Sequence, residues 1–377
     1  QAFFNLYIMK IYSLKSKHKK ILSDTLTPVS IYLKLRDVFP NSLLLESSDY
    51  NQNQKGFSYI CCNSIASISL KKNILTCEYP DGNTTTENLD NFSKLPDKVN
   101  SFSKQFKSKD FKFKFLSNGL FGFIGHEAIE YFENISLDQK KESNDIPELH
   151  YAVYQNIIAI SLFNHETYLF SHVYNKNHNL DKIQLILSKE NTSSFEFKKI
   201  DSKKSNLTDK EFVENVKKGI KHCHRGDVFQ LVLSRRFSQK FKGDEFNVYR
   251  KLRSINPSPY LFFFDYGDFK IFGSSPEAQL IIDSGFAEIH PIAGTFKRTG
   301  DDKIDSAAAI KLSKDEKENS EHVMLVDLAR NDLSRNGSEV KVTKNREIQY
   351  FSHVIHLVSK VICKMKKNAK TFQVVAD

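Results

Sequence analysis

This sequence predicts an α+β fold, with large antiparallel sheets stacked as a β-sandwich and flanked by helices. Three observations predict it. Residues 20–175 carry short β-rich runs, "SLLLES", "FSYICCNSIASISL", "NILTCEYP" and "YAVYQNIIAISLF", separated by polar loops. A second series, "DVFQLVLSRRF", "YLFFFDYGDFKIFG" and "AQLIIDSGFAEIHPIAG", is punctuated by the hairpin signals "DYGD" and "DSG", so Val228 to His290 reads as an antiparallel meander. Helical periodicity is confined to a few segments, and no GxGxxG motif marks a dinucleotide-binding unit.

In chain order, "QAFFNLYI" is short and lacks the basic leader and cleavage site of a signal peptide; Met9 is expected to be the true initiator. Gly119, Gly122 and Gly125 of "GLFGFIG" are spaced three apart, a pattern that serves close backbone packing better than a phosphate cradle. "HEAIEYFENI" reads as a helix. A polar stretch over 174–206 is expected to divide an N-terminal domain, 20–175, from a C-terminal domain, 207–377. Thr208 with Glu211 forms a capping box that opens a helix running to about Arg225. The "HCH" triplet near its end, His222 to His224, is read as surface histidines, because residues two apart on a helix diverge.

At 377 residues and 40% hydrophobic content the chain is long enough to bury a core. Five scattered cysteines without CxxC spacing argue against a disulfide framework and a structural zinc site, and fit a reducing, cytoplasmic setting. The net charge of +10 is dispersed over stretches such as "KSKHKK" and "DSKKSNLTDK", read as solvated linkers, so no nucleic-acid partner is expected and a small anionic substrate is served equally well. No apolar run approaches the roughly 18 residues of a membrane span, so no membrane partner is expected.

The segment 314–335 reads as one helix, with Glu318, Glu321, Leu325, Leu328 and Asp332 on one stripe and apolar residues over most other faces, hence buried. Asp327 can pair with Arg330, and Asp332 with Arg335. Glu318 and Glu321 have no such downstream partner. Their Cβ atoms stand about 5 to 6 Å apart, which suits one Mg²⁺ ion with its waters and a substrate anion, or two solvated surface carboxylates.

"KENSEHVMLVDLARNDLSR" resembles the K-E-x-x-E-H-x-M-x-V-D-L-x-R-N-D-L signature of the chorismate-utilising enzymes, and specifically that of the anthranilate synthase component I group. "DTLTPVSIYLKL", "LLLESS", "GDVFQLVLSRRF", "NPSPYLFFF", "GSSPE", "PIAGT" and "FSHVIHLVS" agree in the same order, from about Asp24 onward. The resemblance implies that Glu321 is a Mg²⁺ ligand with Glu318 a water-mediated partner, that Gly294 and Thr295 contact chorismate, that Glu277 is the general acid and that His356 is a catalytic histidine. It further implies ammonia drawn from a glutamine amidotransferase subunit, expected in a heterotetramer. Feedback by L-tryptophan is implied too, at a pocket joining Glu46 and Ser47 to Pro259, Tyr260 and Leu261.

Ala293 stands where aminodeoxychorismate synthases hold a lysine that can attack the ring, and Gln230 where isochorismate-forming relatives hold a lysine base; neither residue can do that chemistry, which favours ammonia as the nucleophile. The alternatives are those two related activities, or a non-catalytic tryptophan-binding fragment. The resemblance also implies a glycine-rich block, a tyrosine and arginine for the substrate carboxylate and a second metal-binding glutamate beyond "TFQVVAD", so the polypeptide as given is expected to be inactive.

Overall fold

Alternating buried and exposed side chains along the first half of the chain pair into strands in the computed structural model, which describes residues 10–47, 56–89, 94–137, 145–190 and 192–376. That half runs β1 (Tyr12–Ser13), β2 (Lys15–Leu22), α1 (Pro28–Arg36), β3 (Leu43–Glu46), β4 (Phe57–Lys71), β5 (Ile74–Glu78), β6 (Thr84–Asn88), α2 (Leu95–Lys104), β7 (Phe106–Lys107), β8 (Leu120–Ile124), β9 (Leu149–Ser161), β10 (Glu166–Val173) and α3 (Leu180–Leu187). The remainder runs β11 (Phe197–Ser205), α4 (Asp209–Arg225), β12 (Phe237–Gly243), α5 (Phe246–Ile255), β13 (Tyr260–Asp265), β14 (Lys270–Ser275), β15 (Ile281–Asp283), β16 (Phe286–Ile289), β17 (Ile292–Lys297), α6 (Asp302–Lys314), α7 (Glu316–Asn336), β18 (Gly337–Tyr350), β19 (Val354–Met365) and α8 (Thr371–Ala376).

Ten strands form one sheet in the order β14-β13-β3-β4-β9-β10-β2, with β5 and β6 extending from β4 and β8 pairing with β9. The ladders are antiparallel. Near the middle of this sheet, β9 is buried on both faces. Leu149 and Val153 pack with Ile68, Leu70, Leu95 and Phe102, while Ala152, Tyr154 and Ile157 pack with Leu43, Phe121, Phe170 and Phe264. Its sequence therefore shows no polar-out alternation, and even its Gln155 and Asn156 are buried. Thr27 opens α1 with a capping box to Ser30, and Pro28 supplies the fixed φ of a first helical turn.

A second sheet, β15-β16-β19-β17 with β18 paired to β19, carries α6 and α7 against it. Val326, Ala329 and Leu333 of α7 pack on Ala287, Val361 and Cys363, and Leu312 of α6 packs on Ile355 and Leu357. Burying a Val or Leu side chain is worth about 1.5 to 3 kcal/mol, so Val326 and Leu333, seven residues apart on one helical face, contribute to seating α7.

The chain separates into two compact units, residues 1–192 with 252–377, and residues 193–251. Within the first, β13 pairs with β3, so the segments 20–175 and 207–377 contribute to one sheet. In the second, β11 pairs antiparallel with β12, and Arg235 ties them to α4 through Asp209 at 2.6 Å and Ser205 at 2.8 Å. The capping box of Thr208 and Glu211 forms as expected, and His222 and His224 lie on the surface, with His222 bonded to Asp227 at 2.7 Å.

Several expectations need correction. Val228 to His290 is not a meander: residues 228–236 are irregular, α5 intervenes, and the hairpins β13-β14 and β15-β16 belong to different sheets. "KSKHKK" is not a linker but the edge strand β2. The polar stretch 174–206 contains α3, whose Leu180, Ile183, Ile186 and Leu187 are buried at helical spacing, and also β11. "HEAIEYFENI" makes only a 3-10 turn over His126–Tyr131. The helix read as 314–335 starts at Glu316 after a break at Asp315, and it buries one face, not all: Val323 and Leu328 are about half exposed.

Gly122 has the backbone-packing role anticipated for its motif. A Cβ there would lie 1.9 Å from the His150 carbonyl oxygen, main chain that cannot rotate away. Gly122→Ala is therefore expected to cost at least about 2 kcal/mol, read as a lowered midpoint in thermal and urea unfolding; an unchanged midpoint would contradict the close approach of β8 to β9.

Candidate active site

The site begins with a defect in a ladder. β17 and β19 pair in register, but the register slips between Ala293 opposite Leu357 and Thr295 opposite His356, leaving Gly294 as the extra residue of a bulge. Its φ of +76° is one that side chains disfavour, and a Cβ there would meet Leu312 Cδ1 at 3.0 Å, Leu357 Cδ1 at 3.4 Å and Glu318 Cβ at 3.5 Å. Glycine is thus favoured both by the backbone and by Leu312 of α6 packed close above it, with the start of α7 in van der Waals contact.

The bulge turns the Gly294 carbonyl toward His356. Nδ1 of His356 lies 3.1 Å from that oxygen and 3.2 Å from Thr295 Oγ1, and the Phe351 ring meets the imidazole edge-on at 5.2 Å. Burial lowers the His356 pKa, opposed in part by the Gly294 carbonyl, so the ring is neutral near pH 7. A carbonyl only accepts, so Nδ1 carries the proton and Nε2 keeps a lone pair. Thr295 is exposed beside it, and Ala293 is buried.

The N-cap Asp315 accepts from Glu318 N at 3.0 Å and fixes the first turn of α7. That places Glu318, its side chain 19% exposed, against Gly294, with the half-buried Glu321 one turn further. No group of three His, Cys, Asp or Glu residues suited to a metal occurs among the described residues. Two carboxylates a turn apart still fit Mg²⁺, which takes one or two protein carboxylates and fills its remaining positions with water and substrate oxygens. Asp327 pairs with Arg330 at 3.0 Å as expected.

His322, next to Glu321, was not singled out from sequence, although it lies in the same motif. It is fully buried, and its Nε2 lies 2.7 Å from Ser359 Oγ, which also accepts from Arg346 N at 2.9 Å. Burial and then Arg346 lower its pKa, so it docks α7 on β18 and β19 as a neutral ring. Asp305 was missed as well. It accepts from Thr299 N at 2.7 Å, Thr299 Oγ1 at 2.8 Å, Gly300 N and Arg298 Nε, both at 3.2 Å, and so anchors the loop that follows β17.

Glu277 sits in the loop between β14 and β15, where its N–H donates to Ser275 Oγ at 3.3 Å. It is exposed to solvent, yet partial desolvation raises its pKa, the direction a proton donor needs. Glu46 is 5% exposed and pairs in register with Leu261, so the strand ends that carry the expected effector residues are adjacent. Arg253 Nε donates to both Glu46 oxygens at 3.0 Å, a partner not foreseen. Ser47 and Pro259 are half-buried, and Tyr260 is exposed. Gln230 is exposed on the loop after α4 in the second unit. Neither a cavity of about 580 Å³ beside β2 nor one of about 230 Å³ beside β5 is lined by any of these residues.

Residues 42–377 match the family described as chorismate binding enzyme. Anthranilate synthase component 1 of Aquifex aeolicus is 32% identical over 374 residues, covering 94% of this chain and 74% of that one. The Bacillus subtilis protein of the same name is 31% identical, covering 91% and 70%. Among solved structures, anthranilate synthase component I of Streptococcus pneumoniae superposes with a TM-score of 0.68 at 26% identity, covering 95% of this chain and 79% of that one. The menaquinone-specific isochorismate synthase of Escherichia coli, at 11% identity and a TM-score of 0.63 with 97% and 74% coverage, shares the fold.

The hydrogen bonds to Asp305, first those from Thr299, lower its pKa below the ordinary 3.8. A depressed carboxyl pKa stabilises the fold above the unfolded value, and that contribution is lost as pH falls through the folded one. Stability is therefore expected to fall below about pH 4 in part through Asp305. In Asp305→Asn that part should be missing from the acid limb of urea midpoints measured between pH 2 and 6; a parallel acid limb in both proteins would remove this role.

Proposed function

The chain belongs to the family of chorismate binding enzymes, and from that premise we propose that it acts as an anthranilate synthase component I, converting chorismate and ammonia to anthranilate and pyruvate. The observation that carries the proposal is the convergence at Gly294. Three separated motifs meet there: the Gly-Thr pair of β17, the His356 imidazole of β19 and the Glu318 start of α7.

Chorismate carries two carboxylates, a ring hydroxyl at C4 and an enolpyruvyl ether. Ammonia adds at C2 as the C4 hydroxyl leaves, and pyruvate is then eliminated. Hydroxide leaves poorly, so Glu277, with its raised pKa, delivers a proton to it. His356 Nε2, left with its lone pair by the Nδ1 bond to Gly294, takes the ring proton in the elimination. Thr295 and the Gly294 backbone hold the substrate. Glu321 and Glu318 would hold Mg²⁺, which when bound neutralises and orients the ring carboxylate. Ala293 is buried and has no amine to attack the ring, which favours direct use of ammonia over the chemistry of aminodeoxychorismate formation.

A glutamine amidotransferase subunit supplies the ammonia, and the pair works in the cytoplasm. Tryptophan inhibits at Glu46, Ser47, Pro259, Tyr260 and Leu261. The paired strand ends support this pocket, and Arg253 shares the Glu46 carboxylate with the incoming α-amino group.

In the full-length protein, with ammonium and magnesium salts, Glu277→Gln and His356→Ala are each expected to lower kcat by about 10²- to 10⁴-fold while the fold is retained by circular dichroism, and Glu321→Gln to raise the magnesium concentration needed for half-maximal rate; full activity in Glu277→Gln and His356→Ala would overturn the assignment of both proton carriers. Tryptophan titrated calorimetrically should bind the wild type with one site per chain and bind Glu46→Gln at least about tenfold more weakly, a loss of about 1.4 kcal/mol; absence of binding by the folded wild-type protein would remove the effector pocket.

A further inference from the structure

We infer that the cavity beside the edge strand β2, which none of the proposed chorismate residues lines, is a binding site for a small polyanion, independent of the activity proposed above. The cavity measures about 580 Å³, within the range of small-molecule sites, and Lys17, Lys19, Lys109, His18, His178 and Phe111 contribute to its wall. Asp181 is the one carboxylate in that wall, and it is taken by Lys19 at 3.0 Å. Lys17 and Lys109, with Lys15 two residues along β2, have no acidic partner among the described residues. Cations that outnumber the single carboxylate around a concave surface hold a positive potential that attracts and concentrates anions.

Two of the wall residues, Ser16 and His178, are held by hydrogen bonds to groups behind the wall. His172 is fully buried; its Nε2 donates to the Ser117 carbonyl at 2.7 Å, so its neutral Nδ1 accepts from Ser16 Oγ at 2.8 Å and pins that residue in the wall. His178 has Nδ1 at 3.2 Å from Ser171 Oγ, which leaves Nε2 as its remaining polar atom. Burial, then Lys17, with Lys15 after it, lower the His178 pKa. The His18 and Phe111 rings meet edge to face at 4.8 Å and close one side. Ammonium groups recognise phosphate as point charges and recognise carboxylates in the same way, so the shared chemistry is a compact di- or trianion.

Lysines on an edge strand also serve to prevent edge-to-edge pairing, and the experiment separates the two roles. Pyrophosphate is titrated into the full chain by calorimetry at 150 mM salt, with the His178 ring proton followed by NMR, in wild type, in Lys17→Ala with Lys109→Ala, and in Lys210→Ala with Lys217→Ala, which removes the same charge from exposed positions of α4. One-site binding that moves the His178 resonance and weakens at least tenfold only in the Lys17 and Lys109 variant supports the site. Citrate is then added as competitor: displacement assigns the site to polyanions generally, and failure to displace assigns it to phosphate, either outcome supporting it. A flat titration, equal weakening in both double variants, or self-association of the Lys17 and Lys109 variant with unchanged binding would overturn it.

Discussion

The positive φ of Gly294 is the constraint on which the rest of the site depends. An ordinary ladder between β17 and β19 would spend the Gly294 carbonyl on a strand partner and point Ala293 and Thr295 to the same face, whereas here one is buried and the other exposed. The bulge instead presents that carbonyl to His356 Nδ1 and lets the start of α7 reach the backbone, with Glu318 Cβ 3.5 Å from where a side chain would begin. One conformational choice thereby sets the tautomer of a histidine, the exposure of Thr295 and the approach of an acidic helix terminus. A strand with any other residue at 294 would have to give up at least one of these.

Helix α7 is seated from two sides. Its apolar contacts, Val326, Ala329 and Leu333, lie in the middle and toward the end, where they fix the axis but not the first turn. Asp315 and His322 fix that turn: the carboxylate caps the helix at Glu318 N, and the imidazole reaches Ser359 on β19. His322 and Ser359 are both fully buried, and breaking their hydrogen bond would leave the imidazole Nε2 buried without a partner, a cost that opposes rotation of the helix about its own axis. Glu318 and Glu321 owe their placement to these two neighbours more than to the hydrophobic face.

Much of this was legible in the sequence, and the failures have physical causes. The capping box at Thr208, the β-rich runs and the Asp327–Arg330 pair follow from local rules and appear where expected. Strand "KSKHKK" was read as linker because an edge strand with polar faces has no apolar alternation to show. Likewise α3 was lost inside a polar stretch because its signal is only four apolar residues. Segment 228–290 misled in another way: hairpin turns specify that two strands pair, not which sheet they join, and β14 and β15 go to different sheets. The site residues came mainly from resemblance. Spacing alone left Glu318 and Glu321 undecided between a cation and solvent, and neither His322 nor Asp305 differs by spacing from an ordinary buried or capping residue.

The strand pairing also bears on how an effector pocket could reach the chemistry. Glu46 is opposite Leu261, Leu261 is opposite Ser274, Tyr260 is opposite Ser275, and the Ser275 hydroxyl takes the N–H of Glu277. These are register neighbours across three paired strands, β3, β13 and β14, ending in the loop of the proposed proton donor. A ligand that drew the Glu46 carboxylate away from Arg253 would disturb the edge of this ladder, and because a ladder shifts by whole registers rather than by fractions, the disturbance has few ways to relax. The loop after Ser275 is one of them: it is held by single hydrogen bonds at 3.3 Å rather than by a strand partner, so it is where a strain entering at Glu46 would be relieved.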